Sequence, residues 1–251
     1  MAAGHRPLDP LAAERRQVTV MFCDLVGFTA FGAGQDEEDV LEVLARYQNG
    51  AAEVIARFGG YVAKYMGDGV LAYFGYPEAH EDDAERAVRA GLALVGAAER
   101  LTTGSTPGLQ LRVGIATGPV VVGALVGSGP TEERTVVGDA PNLAARLQAL
   151  ASPGTVVIAE WTRRLVGGLF ACRPIGPVPL KGFAEPQPAW GVTGEGTTSS
   201  RFEALRAASL TPLAGRTGEI AALRRLWERA RDGEGSLMAG LKVKPSVEAP
   251  L

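Results

Sequence analysis

Two aspartates stand beside apolar, strand-forming runs, where a carboxylate would be held in place rather than freely solvated. Asp24 closes Val18 to Cys23 (Val-Thr-Val-Met-Phe-Cys), a β-branched run typical of a buried strand. Asp68 sits in Lys64-Tyr65-Met66-Gly67-Asp68-Gly69, between an apolar run from Tyr61 and another from Val70 to Phe74. An Asp-Gly pair between β-prone runs predicts a hairpin, because Gly supplies the positive φ of the turn without steric cost. A carboxylate at such a tip, with glycines leaving room for a bulky ligand, suits a cation bound to phosphates. Alone, the motif fits equally an ordinary hairpin whose Asp shapes the turn. If the two strands are neighbours, Asp24 and Asp68 converge as a two-carboxylate site for hard divalent cations such as Mg²⁺ or Mn²⁺. Paired ions roughly 3.5–4 Å apart activate an attacking oxygen and stabilise a leaving one at phosphorus. Such chemistry depends mostly on positioning and charge neutralisation.

The elements that must position these groups follow from periodicity. After Asp24 comes Leu25-Val26-Gly27-Phe28-Thr29, where Gly27 permits a tight bend whose backbone N–H groups can cradle phosphate oxygens. Val40, Leu44, Tyr47, Ala51, Val54 or Ile55, and Phe58 fall on one face of a helix predicted over 36–58, capped by Asp36 and stopped by Gly59-Gly60. A second amphipathic helix is expected over 81–101. The runs 109–118 and 119–124 read as an apolar hairpin joined at Gly118-Pro119, and 127–134 as a glycine-rich, charged arm. Thr135-Val136-Val137-Gly138 leads into a helix capped by Asp139, with Pro141 tolerated in its first turn and Asn142 and Arg146 four apart on one face. Short strands follow at 155–159, 171–175 and 189–193. Helices interspersed with hairpins argue for an α+β domain, helices packed on a largely antiparallel sheet.

The domain plan is a lead-in over 1–16, a main domain over 17–193, a Gly/Thr/Ser linker over 194–210 with a helical patch at 201–208, and an appendage over 211–251. In the appendage, Thr211-Pro212-Leu213-Ala214-Gly215-Arg216 precedes an amphipathic helix with Ile220, Leu223, Leu226 and Trp227.

A chain of 251 residues with 46% hydrophobic and 21% charged composition has the make-up of a globular protein with a sizeable core. Its net charge of -3 offers no electrostatic footprint for nucleic acid or an anionic membrane. Cys23 and Cys172 form no Cys/His cluster, which fits a reducing, cytoplasmic setting. The apolar run 113–126 is broken by glycines and a proline, so no membrane span is expected.

The sequence resembles the class III nucleotidyl cyclases through four motifs in the family's order and spacing. They are Phe22-Cys23-Asp24-Leu25-Val26-Gly27-Phe28-Thr29, Lys64-Tyr65-Met66-Gly67-Asp68-Gly69, Arg112-Val113-Gly114-Ile115-Ala116-Thr117-Gly118, and Val137-Gly138-Asp139-Ala140-Pro141-Asn142-Leu143-Ala144-Ala145-Arg146. The resemblance covers about 17–193 and implies a ferredoxin-like, palm-like fold that dimerises head to tail, with active sites at the interface. It implies that Asp24 and Asp68 bind two cations, completed by the backbone carbonyl of Leu25, and that Lys64 reads adenine. Asn142 and Arg146 would orient the ribose and stabilise charge developing at the α-phosphate. Phe28, Thr29, Val136, Arg112 and Lys181 would also contact substrate. As isolated basic residues at a strand start and in a loop, Arg112 and Lys181 fit a solvated role equally well.

Thr135 departs from the many adenylyl cyclases of this class that carry an Asp there. Its hydroxyl can accept from the adenine amino group, but less selectively. That Thr resembles class IIIb, which includes bicarbonate-responsive soluble enzymes, so bicarbonate is an expected regulator. The runs 81–87 and 211–216 also look like those of multidomain bacterial cyclases whose cyclase domain precedes an ATPase-like module, so 211–251 is expected to be the truncated start of such a module or a disordered tail. The expectation is thus an adenylyl cyclase that makes cyclic AMP and pyrophosphate from ATP as a homodimer. The alternatives are a non-catalytic nucleotide-binding or dimerisation module, and a guanylyl cyclase, which should carry an acceptor such as Glu in place of Lys64.

Overall fold

The computed structural model describes residues 14–98, 100, 109–124, 134–196 and 217–231. The chain divides into two compact units, Met1–Ala207 and Ala208–Leu251. In the second, the amphipathic helix expected around Ile220 to Trp227 forms as Thr217–Arg231 with Trp227 exposed, whereas the predicted patch at 201–208 lies outside the described residues.

The first unit is α+β, and its sheet has the order β2-β3-β1-β4-β6-β8-β7, with β5 paired to the far end of β4. The strands are β1 (Glu14–Leu25), β2 (Tyr61–Met66), β3 (Gly69–Phe74), β4 (Leu111–Ala124), β5 (Arg134–Val137), β6 (Thr155–Ala159), β7 (Phe170–Val178) and β8 (Gln187–Glu195). Every pairing is antiparallel except β4 with β6.

Successive side chains of a strand point to opposite faces, and β1 shows this directly. Met21, Cys23 and Leu25 enter one core; Val18 and Val20 enter a second on the other face. Helices α2 (Glu37–Arg57) and α3 (Asp83–Ala98) bury Tyr47, Ile55, Val88 and Leu94 in the first core. Helix α4 (Asp139–Leu150) covers the other face with Ala140, Ala144 and Leu147. Both faces are therefore covered, as strands with two apolar faces require. Among the described residues no helix is long and apolar enough to cross a membrane.

Three local expectations are corrected. The run 109–124 is no hairpin: β4 is one continuous strand whose Gly118 and Pro119 pair with Val18 and Gln17. Pro119 lies between the segments of β4 that pair with β6 and β5, where that side of the strand has no ladder, so a proline is accommodated without turning the chain. The hairpin around Asp68 turns on Gly67 and Asp68, flanked by the pair Met66 and Gly69, and the positive φ (65°) is at Gly67. That pattern, left-handed at the first central residue only, matches a type II′ turn. Asp139 is not a cap: Gly138 holds that position without a side-chain bond, and Asp139 begins the helix, its charge near the positive end of the dipole. Two short helices were not anticipated, α1 (Phe28–Gly32), entered through Gly27 at φ 72°, and α5 (Glu160–Val166).

Candidate active site

Along β1 the residues facing α4 are Val18, Val20, Phe22 and then Asp24, so a carboxylate occupies the last position of an otherwise apolar series. It is only half-buried because the strand ends one residue later. Strand β3 lies beside β1 with Val70 opposite Cys23, which brings the β2–β3 turn and Asp68 to the same end of the sheet. Gln48 of α2 ties that turn down by donating from Nε2 to the Gly67 carbonyl at 2.9 Å.

The carboxyl groups of Asp24 and Asp68 lie within hydrogen-bonding reach of each other. Burial, first, and then the charge and hydrogen bond of Asp68 hold the Asp24 carboxyl above its ordinary range, partly offset by the Arg112 charge and by Gln148. A carboxylate raised by burial and by a neighbouring carboxylate is suited to a cation, which would offset both. No cluster of three or more His, Cys, Asp or Glu side chains fit for a metal occurs among the described residues. A carboxylate pair without an all-protein cage suits Mg²⁺, which keeps waters and takes phosphate oxygens as further ligands.

Gln148, absent from the sequence expectations, and Gly114, quoted there only within a motif, complete this end of the sheet. Gln148 of α4 donates from Nε2 to Asp24 Oδ2 at 3.3 Å. It arrives there because Gly114 lets the helix lie almost on the strand: a methyl at Gly114 would come within 2.2 Å of the Ala144 carbonyl oxygen and of the Gln148 nitrogen. The Gly114 signal was present in the sequence as a glycine inside a strand, a mark of close backbone approach. Gln148 carried none, since it sits two residues beyond Arg146 and so faces almost the opposite way on the helix.

The remaining predicted residues are dispersed. Arg112 is paired across from Asp24, and its Nε is buried with no hydrogen-bond partner. Leu25 buries its side chain and ends β1; Phe28 stacks on Phe31 at the start of α1, and the Thr29 side chain lies outside the described residues. Lys64 is exposed on the outer strand β2. Asn142 and Arg146 are exposed on α4, with Asn142 Nδ2 3.5 Å from the Gly138 carbonyl. Lys181 is exposed just beyond β7, the opposite edge strand from β2. Val136 buries its side chain beneath α4, leaving only its backbone for a ligand, and the Thr135 side chain lies outside the described residues.

Thr135 pairs with Gly123 on β4, whereas Asp24 pairs with Arg112. At about 3.3 Å per residue, those eleven steps separate the two by roughly 36 Å along the strand. A cavity of about 680 Å³ that does exist in the single chain, bordered by Arg16, Thr19, His80, Asp83 and Thr117, contains none of the predicted residues.

The adenylate and guanylate cyclase catalytic domain family model matches residues 11–194. The chain is 32% identical over 189 residues to adenylate cyclase 1 of Rhizobium meliloti, a match covering 73% of this chain and 28% of that protein. Among solved structures, the adenylyl cyclase CyaB from P. aeruginosa is 31% identical with a TM-score of 0.69, covering 72% of this chain and 96% of that one. The guanylyl cyclase Cya2 is 34% identical with a TM-score of 0.68, covering 76% and 98%. Against curated relatives the chain spans much less, 22% and 28% of the length of two that it matches. Its carboxylate pair at the end of an antiparallel sheet, its four motifs and these likenesses agree: the chain belongs to the class III adenylyl and guanylyl cyclase catalytic domain family.

Proposed function

We propose that the domain is an adenylyl cyclase that converts ATP to cyclic AMP and pyrophosphate as a homodimer. The observation that carries this reading is the separation just described: Asp24 and Asp68 adjoin at one end of the sheet, while Thr135 lies roughly 36 Å away along β4, at about 3.3 Å per residue. One chain cannot close a nucleotide site from these parts, but two antiparallel copies can, each supplying the half the other lacks.

In that dimer Asp24 and Asp68, with the Leu25 carbonyl, would hold two divalent cations, which when bound lower the pKa of the ribose 3′-hydroxyl and neutralise the triphosphate. From the facing chain, Lys64 donates to adenine N1, and Thr135 and the Val136 backbone meet the amino edge. Asn142 orients the ribose, and Arg146 stabilises the charge developing on the α-phosphate, a role suited to a fixed guanidinium. Phe28 and Thr29 border the phosphates at the α1 entry. Arg112 stands next to Asp24 and serves the triphosphate from there, while Lys181 reaches it from the opposite edge of the sheet.

Lys64 favours adenine over guanine, although guanylyl cyclases of known structure resemble this chain as well as the adenylyl enzyme does. Purified protein incubated with ATP or GTP, and with Mg²⁺ or Mn²⁺, should release cyclic AMP from ATP in the wild type and none in Asp68→Ala. Cyclic GMP from GTP, with no cyclic AMP from ATP, would assign a guanylyl cyclase. No product from a folded dimer would assign a regulatory module instead. Bicarbonate should raise the rate above that in chloride at matched pH and ionic strength; equal rates would remove it as the regulator.

A further inference from the structure

The two oxygens of Asp24 have different surroundings. Oδ2 accepts from the Gln148 amide at 3.3 Å. Oδ1 lies toward the β2–β3 turn, 3.7 Å from where a methyl at Gly69 would stand. The Gln148 amide therefore fixes the rotation of the carboxylate, leaving Oδ1 on the side of the turn that carries Asp68. Its chemistry suits that task, because a neutral donor orients an anion without bringing a positive charge that would compete with a cation.

The backbone support for this contact is unusually close. Gly114 of β4 brings the Ala144 carbonyl and the Gln148 nitrogen to within 2.2 Å of the place its own Cβ would take, so α4 has little freedom to slide on the sheet. At about 100° per residue, Gln148 points roughly 200° away from Arg146 on the same helix. Gln148 is half-buried against Asp24, and Asn142 and Arg146 face outward.

We propose that Gln148 is a positioning residue that holds the Asp24 carboxylate in its cation-binding orientation. Helix α4 thereby serves both sites of the dimer, the outer face reaching the partner's substrate and the inner face setting the chain's own cation ligand. The proposal rests on the reading of Asp24 and Asp68 as cation ligands.

The test is Mn²⁺ binding to the full chain, followed through the electron paramagnetic resonance of free Mn²⁺, alone and with an ATP analogue lacking the ribose 3′-hydroxyl. Gln148→Met keeps the length of the side chain and removes the donor; Gln148→Ala is the second variant. Both should weaken Mn²⁺ binding by about 10- to 100-fold, the range for losing an outer-shell partner. The metal-free melting temperature should stay near that of the wild type, as should KM for ATP at saturating Mn²⁺. Unchanged Mn²⁺ affinity in a folded variant would overturn the proposal. So would failure of both variants to fold, which would give Gln148 to the packing of α4. Asp68→Ala separates the two levels: if it binds Mn²⁺ as the wild type does, the carboxylate-pair reading itself fails. If it loses Mn²⁺ while Gln148→Met retains it, only the positioning role falls.

Discussion

In the proposed reading Lys64 carries the base preference on a single side chain, so its replacement should act on specificity more than on folding. It is exposed on an edge strand, where substitution disturbs no core. A hydrogen bond to a charged group contributes about 1.5–3 kcal/mol, so Lys64→Glu should lower kcat/KM for ATP by on the order of 10- to 100-fold. The same change supplies an acceptor and should raise GTP turnover, measured by separating the two cyclic products. A second residue-scale effect concerns acid stability. Burial would raise the Glu160 carboxyl, but hydrogen bonds from Arg164 Nε (2.8 Å) and Trp190 Nε1 (2.6 Å), with the nearby arginine charges, hold it below its ordinary 4.5. A depressed folded-state pKa means that the contribution is present above 4.5 and fades as pH falls through 4.5 toward the folded value. Glu160→Gln should therefore lower the melting temperature at pH 7 and flatten its dependence on pH below 4.5. A parallel loss at every pH would show that packing, not charge, is at stake.

At the scale of elements, the contact between α4 and β4 decides how the site is built. Four groups with proposed roles hang on these two elements: Arg112 on the strand, and Asn142, Arg146 and Gln148 on the helix. Their separation is set by the absence of a side chain at Gly114. Gly114→Ala must push the helix away from backbone atoms that cannot rotate aside. Overpacking of this kind costs about 1–3 kcal/mol, roughly a 2–12 °C fall in melting temperature for a domain of this size. Calorimetry should show that fall together with a raised Mn²⁺ requirement, since the helix would carry Gln148 away from Asp24. A variant with wild-type stability would mean that the helix can shift freely.

For the whole molecule, the reading makes catalysis a property of two chains. An Asp68→Ala chain and an Arg146→Ala chain should each be inactive alone, because each homodimer lacks one half of both sites. Mixed in equal amounts, half of the dimers are heterodimers with one intact site of two, so activity should return to about a quarter of the wild-type value. No recovery, with chain exchange demonstrated by labelled protomers, would place both halves of the site in one chain. The residues beyond 195, which lie outside the matched cyclase domain, are expected to be dispensable for cyclase chemistry and to affect its control.

Much of this protein was legible in local patterns. The β-branched run before Asp24, the glycines around Asp68 and the four-residue step from Asn142 to Arg146 depend on periods of 2 and 3.6 that a chain displays before it folds. The family was legible too, because its motifs lie within short stretches. What only the tertiary structure decided were relations across long sequence separations. Gly118-Pro119 reads as a turn, yet the pairing of β4 with β1 holds the strand straight through it. Gln148 carries no mark of its own, and it reaches Asp24, 124 residues away, only because Gly114 admits the helix backbone. Local chemistry sets which residues can bind a cation or a phosphate; sheet register and the close packing of one helix on one glycine set which of them meet.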